Sequence, residues 1–250
     1  MDPPSPVGTL KRPEGRAPRT MSTATGRLAF AGACAFTLIE LLVVISIMGL
    51  LAGLTLPVLA TVKRQQYVKT ARAELEQVAS ALENYKAKYG AYPPANPAIN
   101  PAFNSLYYEL SGVTNTTIGG NPSYLTLDGA QSITAANYKT AFGAGGVVNY
   151  NSAAKSDEDS GRAKDFLLSL RANRSGTATT PTGVLVTLLT TSVRGPDATY
   201  QPVGAVDVNP FRYCYPGTNN PGSYDLWVDL SIKGQTNRVS NWNRQPQIIK

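Results

Sequence analysis

One carboxylate stands at the head of a long uncharged run. Glu40 is followed by twenty residues, Leu41 to Ala60, that contain no Asp, Glu, Lys or Arg. A charge at the edge of so apolar a segment is costly unless a cation meets it, so the chemistry Glu40 offers is charge pairing across a dry boundary. Other chemistries are poorly supplied. The chain has no histidine, which removes the commonest general base, the commonest zinc ligand and any Ser-His-Asp arrangement. Gly143-Ala144-Gly145-Gly146 has the composition of a phosphate loop. No Lys-Ser/Thr follows it and no clear strand precedes it, so it reads as a flexible turn. Catalysis is not expected.

The element that must carry Glu40 is a helix. Twenty apolar residues make about 30 Å of helix, the thickness of a bilayer core. Beyond Lys63 and Arg64 the pattern changes but the helix continues. Val68, Ala71, Leu75, Val78, Leu82, Tyr85 and Tyr89 recur at alternating spacings of three and four, one apolar stripe. Lys69, Arg72, Glu74, Glu76, Glu83 and Lys86 fall off that stripe. Gly90 suits the helix C-cap, and Pro93-Pro94 forbids a return to helix. Pro57 is expected to kink or loosen the apolar half, and Gly49 and Gly53 form a small-residue step for close packing.

The rest of the chain divides by composition. Residues 91–182, rich in Asn, Gly, Thr, Ser and Pro, read as an irregular region with two short helix candidates, Phe103–Leu110 and Asp159–Leu170. Strand signals return in Val184–Thr191, Phe211–Tyr215 and Tyr224–Leu230, with a turn at Pro216-Gly217. The connections between these late strands are short, so they must pair antiparallel. The expected architecture is α+β: one long helix, then an antiparallel sheet and C-terminal loop over 183–250.

Phe36-Thr37-Leu38-Ile39-Glu40, followed by the apolar run with Pro57, resembles the class III signal of type IV pilins and type II secretion pseudopilins. The resemblance implies a leader, residues 1–35, cut before Phe36, a methylated amine on Phe36, and assembly directed by Glu40. It also implies a pilin-like fold, with a transmembrane half at 36–62 and an amphipathic half at 63–90. Ala35 stands where those families have Gly before the cut, so processing at Ala35-Phe36 is expected to be slower. The leader carries Lys11, Arg12, Arg16, Arg19 and Arg27 against Asp2 and Glu14, +3 of the total +7. Removing it leaves a modest charge, which weakens a nucleic-acid reading. Met1 to Thr20 reads as disordered or as lying ahead of the true start, with Met21 the second candidate. Cys34 falls in the leader, so mature protein keeps Cys214 alone, read as a small packing residue.

Tyr89-Gly90-Ala91-Tyr92-Pro93, Asn209-Pro210-Phe211-Arg212-Tyr213, Ser223-Tyr224-Asp225-Leu226-Trp227 and Asn241-Trp242 extend the resemblance toward the major pseudopilin. In that family the segment between Asp-Leu-Trp and Asn-Trp is a loop that holds calcium with several Asp side chains. Here it has one acid, Asp229, and two cations, Lys233 and Arg238. Two readings stand. Calcium binds through Asp229, Asn237 and carbonyls, or Lys233 or Arg238 replaces the ion by pairing with Asp229 or Asp225.

What the resemblance implies is a structural subunit of a type II secretion pseudopilus, without a cofactor or a metal. It would be a single-pass protein of the inner membrane with its C-terminal domain in the periplasm. Its partners would be other copies in a helical filament, prepilin peptidase, minor pseudopilins, the inner-membrane secretion platform and membrane lipid, with no nucleic acid. A type IV pilin for adhesion, motility or DNA uptake shares the same N-terminus. A membrane-tethered binding module using residues 95–200 is a further alternative. The positive-inside rule barely discriminates orientation, because four basic residues follow the apolar run closely and five precede it.

Overall fold

The computed structural model describes residues 37–249 apart from 97, 152–161, 168–173 and 194–199, and leaves aside the side chains of 54–61. Ala35 and Phe36 therefore lie outside the described residues. The chain divides into two units, Met1–Leu51 and Ala52–Lys250. Of the first, the described part is the start of helix α1, Leu38–Tyr89, a helix of 52 residues assigned without a break across Pro57.

α1 forms because its sequence is dominated by Leu, Ala, Glu, Lys and Gln, which lose little side-chain freedom in a helix. It stops at Gly90, whose φ of 78° only glycine adopts easily and whose N–H reaches the Lys86 carbonyl at 2.7 Å. Ala71, Leu75, Val78, Leu82 and Tyr85 are buried, as their spacing requires, with Val68 and Tyr89 half-buried at the ends of the stripe.

That face shares one core with a four-stranded antiparallel sheet of order β10-β9-β8-β7. Its strands are β7 (Arg212–Cys214), β8 (Asp225–Ile232), β9 (Gln235–Ser240) and β10 (Gln247–Ile249). Leu226, Val228 and Leu230 of β8 and Val239 of β9 supply its apolar side. Residues 231–240, which the resemblance implied to be loop, instead complete β8 and form β9, the two strands of a hairpin. Its tip is Lys233-Gly234, both with positive φ (54° and 72°), the backbone of a tight two-residue turn. A two-stranded piece, β5 (Ser175–Thr179) with β6 (Leu185–Leu189), lies earlier and is joined to residue 210 by a Thr190–Pro210 bridge.

The middle of the chain is more ordered than its composition predicts. Helix α2 (Leu106–Ser111) overlaps the expected Phe103–Leu110 segment, starting three residues later and ending one residue beyond it, and is buried throughout. A second four-stranded sheet has the order β3-β2-β1-β4. It comprises β1 (Val113–Ile118), β2 (Asn121–Thr126), β3 (Ser132–Thr134) and β4 (Tyr150–Asn151), with β4 parallel to β1. Helix α3 (Ala135–Phe142) starts at Thr134, whose hydroxyl accepts the Asn137 N–H, and ends at Gly143 in the left-handed region. The Gly-rich run thus follows a helix rather than a strand. Of the expected helix Asp159–Leu170 the described residues, 162–167, contain no helix.

Candidate functional site

Thr37 caps α1. Its carbonyl accepts the N–H of Glu40 (3.0 Å) and Leu41 (3.2 Å), and its hydroxyl accepts the Glu40 N–H at 3.3 Å. Thr37-Leu38-Ile39-Glu40 therefore has the spacing of a capping box, with Glu40 in the first turn where the helix dipole favours an acid. The Glu40 side chain is exposed, and no hydrogen bond or ion pair is formed by its carboxylate among the described residues.

The same holds for the apolar side chains behind it. Leu38, Ile39, Leu41 to Ile45, Ile47, Met48, Leu50 and Leu51 are all exposed, from 42% at Val44 to 82% at Leu38. A helix apolar all round is stable only when lipid or other protein surrounds it. Ser46 is compatible with such surroundings because its hydroxyl donates to the Leu42 carbonyl at 2.8 Å. A Cβ built on Gly49 or Gly53 meets nothing within 4 Å, so the small face is open as well. Among the described residues no helix is long and apolar enough to cross a membrane; the described side chains of this half end at Gly53.

At the other end of the chain, the hairpin decides between the two readings of Asp229. Arg238 lies directly across from it in the β8–β9 register. Arg238 Nε donates to Asp229 Oδ1 at 2.8 Å and Nη2 to Oδ2 at 3.0 Å, a bidentate pair, with Arg212 Nη1 at 3.6 Å from Oδ2. The Arg238 guanidinium also lies 5.4 Å from the centre of the Trp227 ring, which packs edge-on against Trp242. Asp225 is equally engaged. Its Oδ2 accepts the N–H groups of Thr218 and Asn219 and the Asn219 side-chain amide, and its Oδ1 accepts the Asn220 N–H, all at 2.8–3.0 Å. Both carboxylates are thus committed, and cations occupy the space a calcium ion would neutralise. These residues do not fit calcium, and Arg238 makes the pairing expected of its charge. Lys233 sits at the exposed hairpin tip instead.

Two further carboxylates are buried and were not singled out by their spacing. Glu74, off the apolar stripe, is 3% exposed. It accepts the Thr191 hydroxyl, the Ser192 hydroxyl and the Ser192 N–H, and pairs with Arg174 at 3.2 Å. Glu109 is wholly buried and forms no ion pair among the described residues. It accepts the hydroxyls of Tyr85 (2.9 Å) and Tyr138 (3.1 Å) and the N–H groups of Val148 and Asn149. Burial pushes its pKa up, and these donors oppose the shift. Asn149 completes the junction, accepting from the Tyr89 hydroxyl at 2.6 Å and donating to the Glu109 carbonyl at 2.6 Å. The signal available in sequence was the clustering of Tyr in a Thr- and Asn-rich chain, since a buried Tyr needs a polar partner. Cys214, half-buried, has its thiol pKa raised by burial and by Asp225.

Comparison with known proteins places the N-terminal segment in a class. Residues 31–56 match the prokaryotic N-terminal methylation motif, a span that includes Ala35, Phe36 and Glu40. With the α+β architecture, this is a likeness to pilin- and pseudopilin-like proteins. It is also 41% identical over 58 residues to the type II secretion system core protein G of Pseudomonas aeruginosa, a match covering 23% of this chain and 41% of that protein. No solved structure matches.

Proposed function

We propose that this chain is the structural subunit of a type II secretion pseudopilus. The observation that carries the reading is the bare apolar start of α1, led by a carboxylate that has no partner among the described residues. Both need cover that the described chain does not supply. In this reading prepilin peptidase cuts between Ala35 and Phe36, and the new amine is methylated. The segment 36–62 then anchors the subunit in the inner membrane, with residues 63–250 in the periplasm. On assembly, the Phe36 amine of one copy pairs with Glu40 of another. That removes two isolated charges together and sets the axial stagger. The small face at Gly49 and Gly53 and the missing hydrogen bond at Pro57 suit close helix packing in a filament core. The role is structural rather than enzymatic. The relative's place in a type II secretion system supports the pseudopilus over a pilus.

Glu40→Ala tests this directly. Removing one member of a buried pair costs about 3–5 kcal/mol. Cysteine cross-linking between copies in membranes is expected to fall to background, while membrane insertion is unchanged. Cross-linking at the wild-type level would exclude the pairing.

A further inference from the structure

The end of the periplasmic domain nearest the apolar run has a geometry that the filament reading does not use. Two contacts align β9 with α1. The Arg64 guanidinium donates to Asn237 Oδ1 at 2.8 Å, and Arg72 donates to the Ser240 carbonyl. Eight helix residues and three strand residues therefore cover the same distance, about 12 Å along the helix and about 10 Å along the strand. Running back along β9 from Ser240 to Gln235 is thus travel toward Ala60. The hairpin tip lies further in that direction. Lys233 is exposed there, with Gly234 and Gln235. β10 runs the same way, because Ile248 pairs with Asn237 and Ile249 with Thr236. Ile248 is 53% exposed at that edge.

Beside this edge lies a groove of about 660 Å³ between α1 and the segment before β10. Val68 and Pro246 give it apolar walls; Arg64, Lys69 and Arg244 give it charge. Arg72 builds the wall rather than serving the groove. Its guanidinium donates to the carbonyls of Ser240, Asn243 (2.7 Å) and Arg244 (3.1 Å), which fixes that segment against the helix. Burial lowers the Arg72 pKa and nearby Glu76, the groove's one acid, opposes this, so those two charges offset each other. Lys69 and Arg244 are exposed, and neither side chain has a partner among the described residues.

We infer that the hairpin tip and this groove form a foot that binds the headgroups of anionic phospholipid at the membrane surface. The inference rests on residues 36–62 being a membrane anchor. Arg64 then stands about 6 Å, and Lys69 about 14 Å, beyond the end of the apolar run, while Lys233, four strand residues past Asn237, stands about 13 Å back from Arg64, so the three straddle the boundary between hydrocarbon and headgroups. Long Lys and Arg side chains reach back toward lipid phosphate with their stems along apolar surface. The charge also needs a reason. Lys63, Arg64, Lys69 and Lys233 lie on the side of the membrane that the positive-inside tendency leaves poor in cations, and the phosphates of lipid headgroups on that side are anions within reach of such side chains. Ile248 supplies apolar contact at the same edge.

The test uses the full mature chain in neutral detergent, titrated with phosphatidylglycerol, phosphatidylcholine and soluble glycerol 3-phosphate, with bound lipid counted by native mass spectrometry. The variant combines Lys69→Gln with Lys233→Asn, Asn being suited to the positive φ of that position. Expected is a preference for phosphatidylglycerol that falls about thirtyfold in the variant, with phosphatidylcholine binding unchanged. Equal binding of the two lipids overturns the inference. So does glycerol 3-phosphate competing at the concentration of the lipid, which marks a site for free anions. So does efficient cross-linking between cysteines at 69 and 233 of different copies in membranes, which makes a second subunit the occupant. Single subunits are measured, so a failure of Glu40 pairing leaves this result standing. Full-length protein that stays soluble without detergent removes the anchor and, with it, the parent reading.

Discussion

The two halves of α1 are the same secondary structure under opposite conditions. From Leu38 to Leu51 every large apolar side chain faces outward, whereas from Ala71 to Tyr85 the apolar stripe is buried under the sheet. The carboxylates follow the same division. Glu40 has no partner among the described residues, while Glu74 is met by Thr191, Ser192 and Arg174. One half carries its stabilising contacts inside the chain. The other half finds no cover among the described residues.

Core truncation breaks that comparison most strongly. Leu82→Ala removes a fully buried side chain and is expected to destabilise the C-terminal domain by about 2–5 kcal/mol in urea unfolding. Leu50→Ala, 66% exposed in the single chain, is expected to leave the same curve within about 0.5 kcal/mol while weakening assembly. Equal effects of the two would mean that the halves do not differ in this way.

Next in size is Arg238→Gln, which leaves Asp229 nearly buried with only the longer Arg212 contact. A loss of about 1–3 kcal/mol is expected in the same measurement. A comparable loss, about 1–2 kcal/mol, is expected for Glu109→Gln, because the new NH₂ group faces N–H donors. That variant also changes pH dependence. Burial raises the folded pKa of Glu109 above its ordinary 4.5. The stability it contributes is therefore fully present below about pH 4.5 and is lost as pH rises through the folded pKa. Glu109→Gln should flatten the profile in that window, and an unchanged profile would place the titration elsewhere. The smallest effect concerns calcium. Adding it, or removing it with EDTA, is expected to move the melting temperature of the wild-type domain by less than about 2 °C, since Arg238 already holds Asp229. A larger rise with calcium would reinstate an ion site.

The sharpest difference between what could and could not be anticipated lies in particular residues. The stripe from Val68 to Tyr89 was readable because burial on a helix repeats with the turn, and Gly90 ended it for a local reason. The strands β6, β7 and β8 were readable from β-branched and aromatic runs. β1 to β4 were not. Val113 is buried at one end of β1, but Thr117 and Ile118 at its other end are exposed, so no alternation marks the strand. Those strands are fixed by Gly119-Gly120 at the hairpin turn and by the junction of Glu109 with Asn149, which joins residues forty positions apart. Glu74 escaped for the same reason: its partners Thr191 and Ser192 are far along the chain.

The sequence by itself determined the long helix, its change from apolar to amphipathic character after Ala60, the lone carboxylate at its head and the α+β order. Each follows from local spacing and from charge counted along the chain. The tertiary structure alone decided that Asp229 belongs to Arg238, that Glu74 and Glu109 are interior, and that Lys233, Ile248 and the Arg64–Lys69 groove share one edge. Those facts depend on strand register and on the packing of distant segments; a one-residue slip of β9 against β8 would turn Arg238 to the face opposite Asp229.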